Sequence, residues 1–344
     1  MRVGESHCGS GIRRRTRESF PGCRDAPVDT LPDRVTALLD KRLIFVTGKG
    51  GVGKTTVATA LGIVAARRGL RTIVAEVAAQ DRVTRAFGGD GQPEHEVEVR
   101  PGLFAISIDP QRAMEEYLVL HIPLRPLAEL LARSHAFGPF AVAAPGMREL
   151  LTMGKIWELA QMERRSSDGD VYDLVIVDAP ATGHGVAFMQ TPRTFAEIAQ
   201  VGPIARQGRR IDSFVRDAEC TGVVAVALPE EMPVSETLML RDILAERLGL
   251  GLDLLVVNAL GPDRFTARNA GRMRRCLDTT GPPAARAALV AALADHLHAA
   301  EQRRQVARLS RGCDQDPVTL PFLLSDPFVP ADYEVLATGL EAAL

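Results

Sequence analysis

The stretch Gly48-Lys49-Gly50-Gly51-Val52-Gly53-Lys54-Thr55-Thr56 constrains this chain more than any other. It fits G-x-x-x-x-G-K-[ST], a pattern that has chemical meaning only between a strand and a helix. The apolar run 43–46 supplies the strand, and the helix-length stretch 55–68 follows. Glycines let successive backbone N–H groups turn inward around an anion, and the first turn of the helix adds its dipole. Lys54 is then placed to reach β- and γ-phosphate oxygens, and the Thr55 hydroxyl to ligate Mg²⁺. The expected cofactors are ATP and Mg²⁺, with Gly48 through Thr56 as the phosphate-binding set.

The rest of the chain agrees with that context. Short apolar runs at 43–46, 72–77, 103–108, 174–177, 223–228, 252–257 and 318–320 alternate with helix-length amphipathic stretches. Runs apolar at every position are what a parallel sheet covered on both faces requires. The fold expected is therefore α/β: a mostly parallel P-loop NTPase sheet flanked by helices. Two stretches break the alternation. Residues 110–165 have helical spacing of Leu, Met and Ala, with prolines but no strand candidate, and read as an inserted helical subdomain. Residues 282–311 read as a long covering helix. The domain reading is an arginine-rich, disordered leader over 1–40, without apolar periodicity, and one P-loop ATPase domain over 41–344 with its insert at about 110–165. Met114, Met147, Met153 and Met162 lie in the insert, where a Met-rich face suits either core packing or an apolar client helix. Trp157 reads as a core residue.

Composition narrows the partners. The formal net charge is −2, from 41 Lys and Arg against 43 Asp and Glu, so no field of the whole protein favours nucleic acid, and no nucleic-acid partner is expected. Five cysteines without a C-x-x-C give neither a disulfide framework nor a zinc site, which fits a reducing cytoplasm. No apolar run is long enough to cross a bilayer, and the N-terminus has no signal-peptide core.

A second motif fixes the catalytic expectation. The run Leu174-Val175-Ile176-Val177-Asp178 is an apolar strand ending in a carboxylate, the place where P-loop proteins hold the metal's water. The residues that follow, Ala179-Pro180-Ala181-Thr182-Gly183-His184, resemble the D-T-A-P-T-G-H signature of the ArsA ATPase family. Lys49 gives the loop the form G-K-G-G-x-G-K-T-T, which looks like the deviant Walker A motif of dimeric ATPases. The segments 103–110, 256–258 and 320–323 are similar to further family segments, and the nearest wording is that of the actinobacterial ArsA-like paralogues.

The resemblance implies a dimer, either a homodimer or a heterodimer with a paralogous ATPase, in which Lys49 reaches the partner's nucleotide. It also implies contact of Asn258 with adenine, a loop containing Pro321 and Leu323 that closes over the base, and a client such as an apolar helix or a membrane protein. Lys49, Lys54 and Asp178 are the catalytic candidates; Thr55 and Asp178 are the metal candidates. One departure stands out. The family places an aspartate 29 residues after the lysine matching Lys49, and that position is Ala78. Glu76 and Asp81 are the nearby carboxylates that can approach the attacking water, whereas Asp109, in a Ser-Ile-Asp-Pro segment on a different strand, is rejected for that role. Slow or partner-dependent hydrolysis is expected, the alternative being a pseudo-ATPase that regulates or pairs with an active paralogue. His184 reads either as a relay of nucleotide state or as an ordinary loop residue.

Overall fold

The computed structural model describes residues 37–77, 81–89, 95–121, 146–162, 171–279, 281–325 and 327–342. The leader expected over 1–40 and Ala78 therefore lie wholly or mostly outside the described residues, as do the middle of the expected insert and its last residues.

Eight strands form one sheet in the order β3-β4-β2-β5-β1-β6-β7-β8. The strands are β1 (Leu43–Gly48), β2 (Thr72–Glu76), β3 (Val97–Arg100), β4 (Leu103–Ser107), β5 (Leu174–Asp178), β6 (Thr221–Ala227), β7 (Leu254–Leu260) and β8 (Val318–Pro321). Every pairing is parallel except that of β3 with β4. Strand β3 is the element that the apolar-run reading passes over. Its Val-Glu-Val-Arg sequence is only half buried, as suits an edge, and the Pro101-Gly102 turn folds it back on β4.

Alternation along the central strand divides the interior in two. Leu43 and Phe45 face one core with Val175, Val177, Val223 and Ala225, while Ile44 and Val46 face the other with Leu174, Ile176, Val224 and Val226. The second core is covered by α1 (Lys54–Arg67) and the C-terminal α10 (Pro330–Glu341), joined at the surface by Arg67 pairing with Glu334 and Glu341. Between them in the chain run α2 (Arg82–Ala86), α3 (Pro110–His121), α4 (Met147–Leu159), α5 (Thr182–Ala199), α6 (Pro203–Val215), α7 (Glu231–Leu248), α8 (Ala267–Leu277) and α9 (Pro283–Cys313). Helices α4, α5, α6, α7 and α9 contribute to the first core, through residues such as Ile156, Phe188, Phe214, Leu244 and Leu309. Met153 is fully buried there, and Trp157 packs against the same core. Met114 and Met147 join a small cluster between α3 and α4, so of the four insert methionines only Met162 is strongly exposed.

Asp109 caps α3: its Oδ1 accepts the N–H groups of Gln111 at 2.6 Å and Arg112 at 3.2 Å. The Ser-Ile-Asp-Pro segment is thus the end of β4 and the start of α3, with the Ile108 N–H bonded to the Glu76 carbonyl of β2 at 2.9 Å. Among the described residues no helix is long and apolar enough to cross a membrane.

The chain leaves β1 toward β2 on one side and later crosses to β6 on the other. The carboxyl end of β1 therefore lies where the direction of winding reverses, the place at which an open α/β sheet leaves a crevice.

Helices α5 and α6 pack closely because Gly208 has no side chain. A Cβ there would lie 2.7 Å from the Pro192 carbonyl oxygen and 3.1 Å from the Ala196 Cβ. Gly208→Val should destabilise the fold by roughly 1–3 kcal/mol, because backbone and not a flexible side chain stands in the way, and urea unfolding would measure it.

Candidate functional site

The loop joining β1 to α1 occupies that crevice, and close packing dictates its glycines. A Cβ on Gly48 would run into the Val226 carbonyl oxygen of the neighbouring strand β6. A Cβ on Gly53, which has φ +89°, would run into the Asn258 side chain. Gly53 is the N-cap residue of α1, no side chain caps that end, and no acidic residue lies in the first turn. The first N–H groups of the helix are thereby left for a ligand, which is the arrangement an anion needs.

Lys54 bends back over the loop, its Nζ donating to the Lys49 carbonyl oxygen at 3.1 Å. Burial pushes its pKa down; the nearby Asp178 carboxylate opposes that and Arg82 adds to it. Thr55, next on α1, donates its hydroxyl to Asp178 Oδ2 at 2.5 Å. Asp178 comes from the end of β5, beside β1 in the ladder, where Val46 pairs with it. Its other oxygen, Oδ1, is buried and has no hydrogen-bond partner among the described residues. Burial raises the Asp178 pKa against the Thr55 hydrogen bond and the charges of Lys54 and Arg82. A hydroxyl and a carboxylate side by side, with one oxygen still unsatisfied, are hard oxygen donors that suit a hydrated Mg²⁺ held by few protein ligands and completed by water and phosphate. Among the described residues no group of three or more His, Cys, Asp or Glu forms a fuller metal cage.

Lys49 is ion-paired with Glu236 of α7 at 2.8 Å, both side chains about one-third exposed (33 % each). Nothing local in sequence announces this partner. On the far side of the loop, Asn258 Nδ2 donates to the Val52 carbonyl oxygen at 3.0 Å, tying β7 to the loop. Ala259, the next residue, takes φ +57°, an αL conformation that costs a non-glycine residue energy, and the β7–β8 register shifts there. Pro321 lies opposite Leu260 at the end of β8, Phe322 N–H bonds to the Leu260 carbonyl, and Leu323 packs against the second core. Asn258 and the segment Pro321 to Leu323 thus share one edge of the crevice. Ala259 and Glu236 are the features the sequence reading missed, together with Arg82.

Glu76 ends β2 opposite Asp178 and is buried. Its two carboxylate oxygens accept the backbone N–H groups of Arg82 at 3.1 Å and Val83 at 3.2 Å. Its pKa is pushed up to about 7, mainly by burial, with Asp178 and Asp81 adding to the rise and the two backbone N–H groups opposing it. Asp81 is also buried, has φ +47° and lies 4.0 Å from Arg85. His184 is exposed near the start of α5, and its backbone N–H donates to the Ala181 carbonyl oxygen at 2.9 Å. Cys220 is buried, Cys276 exposed and Cys313 in between, and none is in a disulfide.

The fold and this loop define a P-loop nucleotide-binding protein. Residues 41–204 match the family model described as Anion-transporting ATPase. ATPase BagA of Mycobacterium tuberculosis is 31% identical over 233 residues, covering 66% of this chain and 66% of that protein. A putative arsenical pump-driving ATPase of Halobacterium salinarum is 26% identical over 270 residues, 74% of this chain and 41% of its own. ATPase GET3 of Podospora anserina is 31% identical over 175 residues, 49% of each chain. The chain belongs to this ArsA-type ATPase family. The match spans about two thirds of the mycobacterial relative and less than half of the other two.

Because the folded chain holds the Glu76 proton up to about pH 7 while the unfolded chain releases it near 4.5, the nucleotide-free fold should lose stability as pH rises through that window. The loss is at most about 3 kcal/mol. In Glu76→Gln, urea unfolding at pH 5 and pH 8 should differ less than in the wild type. An unchanged difference would mean that Glu76 is already ionised in the fold.

Proposed function

We propose that the protein is a Mg²⁺-dependent ATPase that works as a dimer, with its nucleotide state controlling a surface offered to a client or partner. The observation that carries this reading is the Thr55–Asp178 pair at the mouth of a loop with uncapped helix N–H groups. In it the loop N–H groups and Lys54 bind the β- and γ-phosphates, and Thr55 and Asp178 are the residues that would hold Mg²⁺. When bound, the metal would offset the negative charge of the phosphates. Asn258, Pro321 and Leu323 border the base. Lys49 leaves Glu236 and contributes its charge to a partner's nucleotide, in a homodimer or in a heterodimer with a paralogous ATPase. Helices α3 and α4 belong to the insert that presents the client surface, the client being an apolar helix or membrane-protein segment. The site of action is the cytoplasm, and no nucleic acid takes part.

A second reading is supported by Ala78 and by Glu76, whose two oxygens already serve backbone N–H groups. In it the protein binds ATP without appreciable turnover and regulates or pairs with an active paralogue.

Steady-state hydrolysis with Mg²⁺, followed alongside ATP affinity, separates the two. Lys54→Ala and Asp178→Ala should each reduce turnover at least about 100-fold, the scale expected when one charge-stabilising group is lost. Tight binding without turnover in the wild type would favour the second reading. In a comparison directed at the dimer, Lys49→Ala should reduce hydrolysis about 100-fold while ATP affinity stays within about threefold. Equal losses in hydrolysis and binding would remove the in-trans role.

A further inference from the structure

Arg82 is the first residue of α2, just after the loop that follows β2. The start of this short helix is held unusually. Asp81, in the N-cap position, sits at φ +47° and makes no side-chain cap. The capping is done from a distance by Glu76, six residues earlier, whose carboxylate binds the N–H groups of both Arg82 and Val83. Glu76 is itself fixed by the sheet, opposite Asp178 in the β2–β5 ladder, and Asp178 holds Thr55 of the phosphate loop. A continuous chain of hydrogen bonds and ladder pairing thus fixes the Arg82 backbone relative to Thr55.

The Arg82 side chain is exposed, and its guanidinium makes no ion pair or hydrogen bond among the described residues. Its backbone is held by Glu76, whose partner in the ladder is Asp178, and its charge acts on both the Asp178 carboxylate and the Lys54 ammonium. Two cations near one crevice repel each other in the free protein. The arrangement becomes favourable when a polyanion lies between them.

We propose that Arg82 is a catalytic residue acting in cis, its guanidinium binding γ-phosphoryl oxygens of ATP, and that Glu76 is the positioning residue that holds it there. The inference rests on the ATPase reading above and extends it. In the step served, the water oxygen bonds to the γ-phosphorus while the bond from that phosphorus to the β–γ bridging oxygen breaks. ADP departs with the electron pair, and the water's proton passes to the product phosphate or to solvent. Arg82 stabilises the charge on the equatorial oxygens and transfers no proton. A guanidinium can do so with two parallel N–H bonds, which an ammonium cannot match. In a chain with Ala78 where its relatives are expected to carry an aspartate, such electrostatic stabilisation takes a larger share of the rate enhancement.

The test uses the full chain with Mg²⁺, as wild type, Arg82→Ala, Arg82→Lys, Glu76→Ala, Glu76→Gln and the Glu76→Ala/Arg82→Ala pair. Affinities for ATP and ADP are measured by calorimetry, hydrolysis is measured under single-turnover conditions, and circular dichroism checks that each variant is folded. Arg82→Ala should lower the hydrolysis rate about 100-fold or more and the preference for ATP over ADP about tenfold, with ADP affinity within about threefold of wild type. Arg82→Lys should restore only part of both. Glu76→Ala should move rate and preference the same way, Glu76→Gln, with one acceptor left, should move them less, and the double variant should be within about twofold of Arg82→Ala.

A folded Arg82→Ala with the wild-type ATP preference and rate would overturn the proposal, and fully multiplicative effects in the double variant would overturn the positioning role of Glu76. In a wild type that binds nucleotide without turnover, the ATP-over-ADP preference alone decides. A wild type that binds neither nucleotide would overturn the ATPase reading, and this inference with it.

Discussion

The site is organised around a carboxylate in an expensive place. Asp178 Oδ1 is closed off from solvent at the end of β5, in the middle of the sheet, and no group among the described residues bonds to it. Taking a carboxylate out of water costs several kcal/mol unless charge or hydrogen bonds offset it. Here the offset comes from Thr55, Lys54 and Arg82, and the Asp178 pKa is still raised. One strand over, Glu76 repeats the problem, and Asp178 and Asp81 raise its proton affinity beyond what burial does. A buried acid and a partly buried one on adjacent strand ends, under the influence of two cations, make a site whose electrostatics would improve if a divalent cation and a polyphosphate arrived together.

Backbone packing makes the loop part of the sheet. Gly48 touches the Val226 carbonyl of β6, and Val52 receives the Asn258 amide of β7, so two successive strands hold opposite ends of the same loop. The αL strain at Ala259 lies directly after that amide. Strain at such a position persists only where the surroundings over-determine it, and here the β8 pairing of Leu260 with Pro321 and the Phe322–Leu260 hydrogen bond do so. The edge formed by Asn258 and Pro321 to Leu323 and the glycine-rich loop are therefore mechanically one unit. A shift at Pro321 to Leu323 reaches Val52 through few intervening groups.

Much of this was legible in sequence because it is local. The strand-loop-helix of 43–67 and the aspartate at the end of β5 need only neighbouring residues to be read, and runs of uninterrupted Val, Ile and Leu announce strands buried on both faces. What escaped is what depends on tertiary placement. Strand β3 is half-polar because it is an edge, so its pattern carries no core signal, although Pro101-Gly102 marks its turn. In the sequence Glu76 is only a carboxylate near Ala78. Its actual bonds, to Arg82 and Val83 N–H, depend on how the chain returns after β2, and no spacing rule encodes them. Glu236 lies 187 residues from Lys49 and meets it only because α7 follows β6, the strand next to β1.

That last pairing bears on how a lysine can serve a second molecule. Ion pairs between partly exposed side chains contribute about 0–1 kcal/mol, since water solvates both partners and ordering them costs entropy. With each side chain about one-third exposed, the Lys49–Glu236 bridge holds the ammonium in one place without binding it strongly. A phosphate group, with more than one negative charge and charge-assisted hydrogen bonds to offer, outcompetes a single carboxylate for such a cation. Lys54 is placed differently: half-buried, anchored on the Lys49 carbonyl and committed to its own loop. The two lysines of one motif are thus separated by burial, one built into the loop and the other free to exchange partners at low cost, which is the property a charge donated across an interface requires.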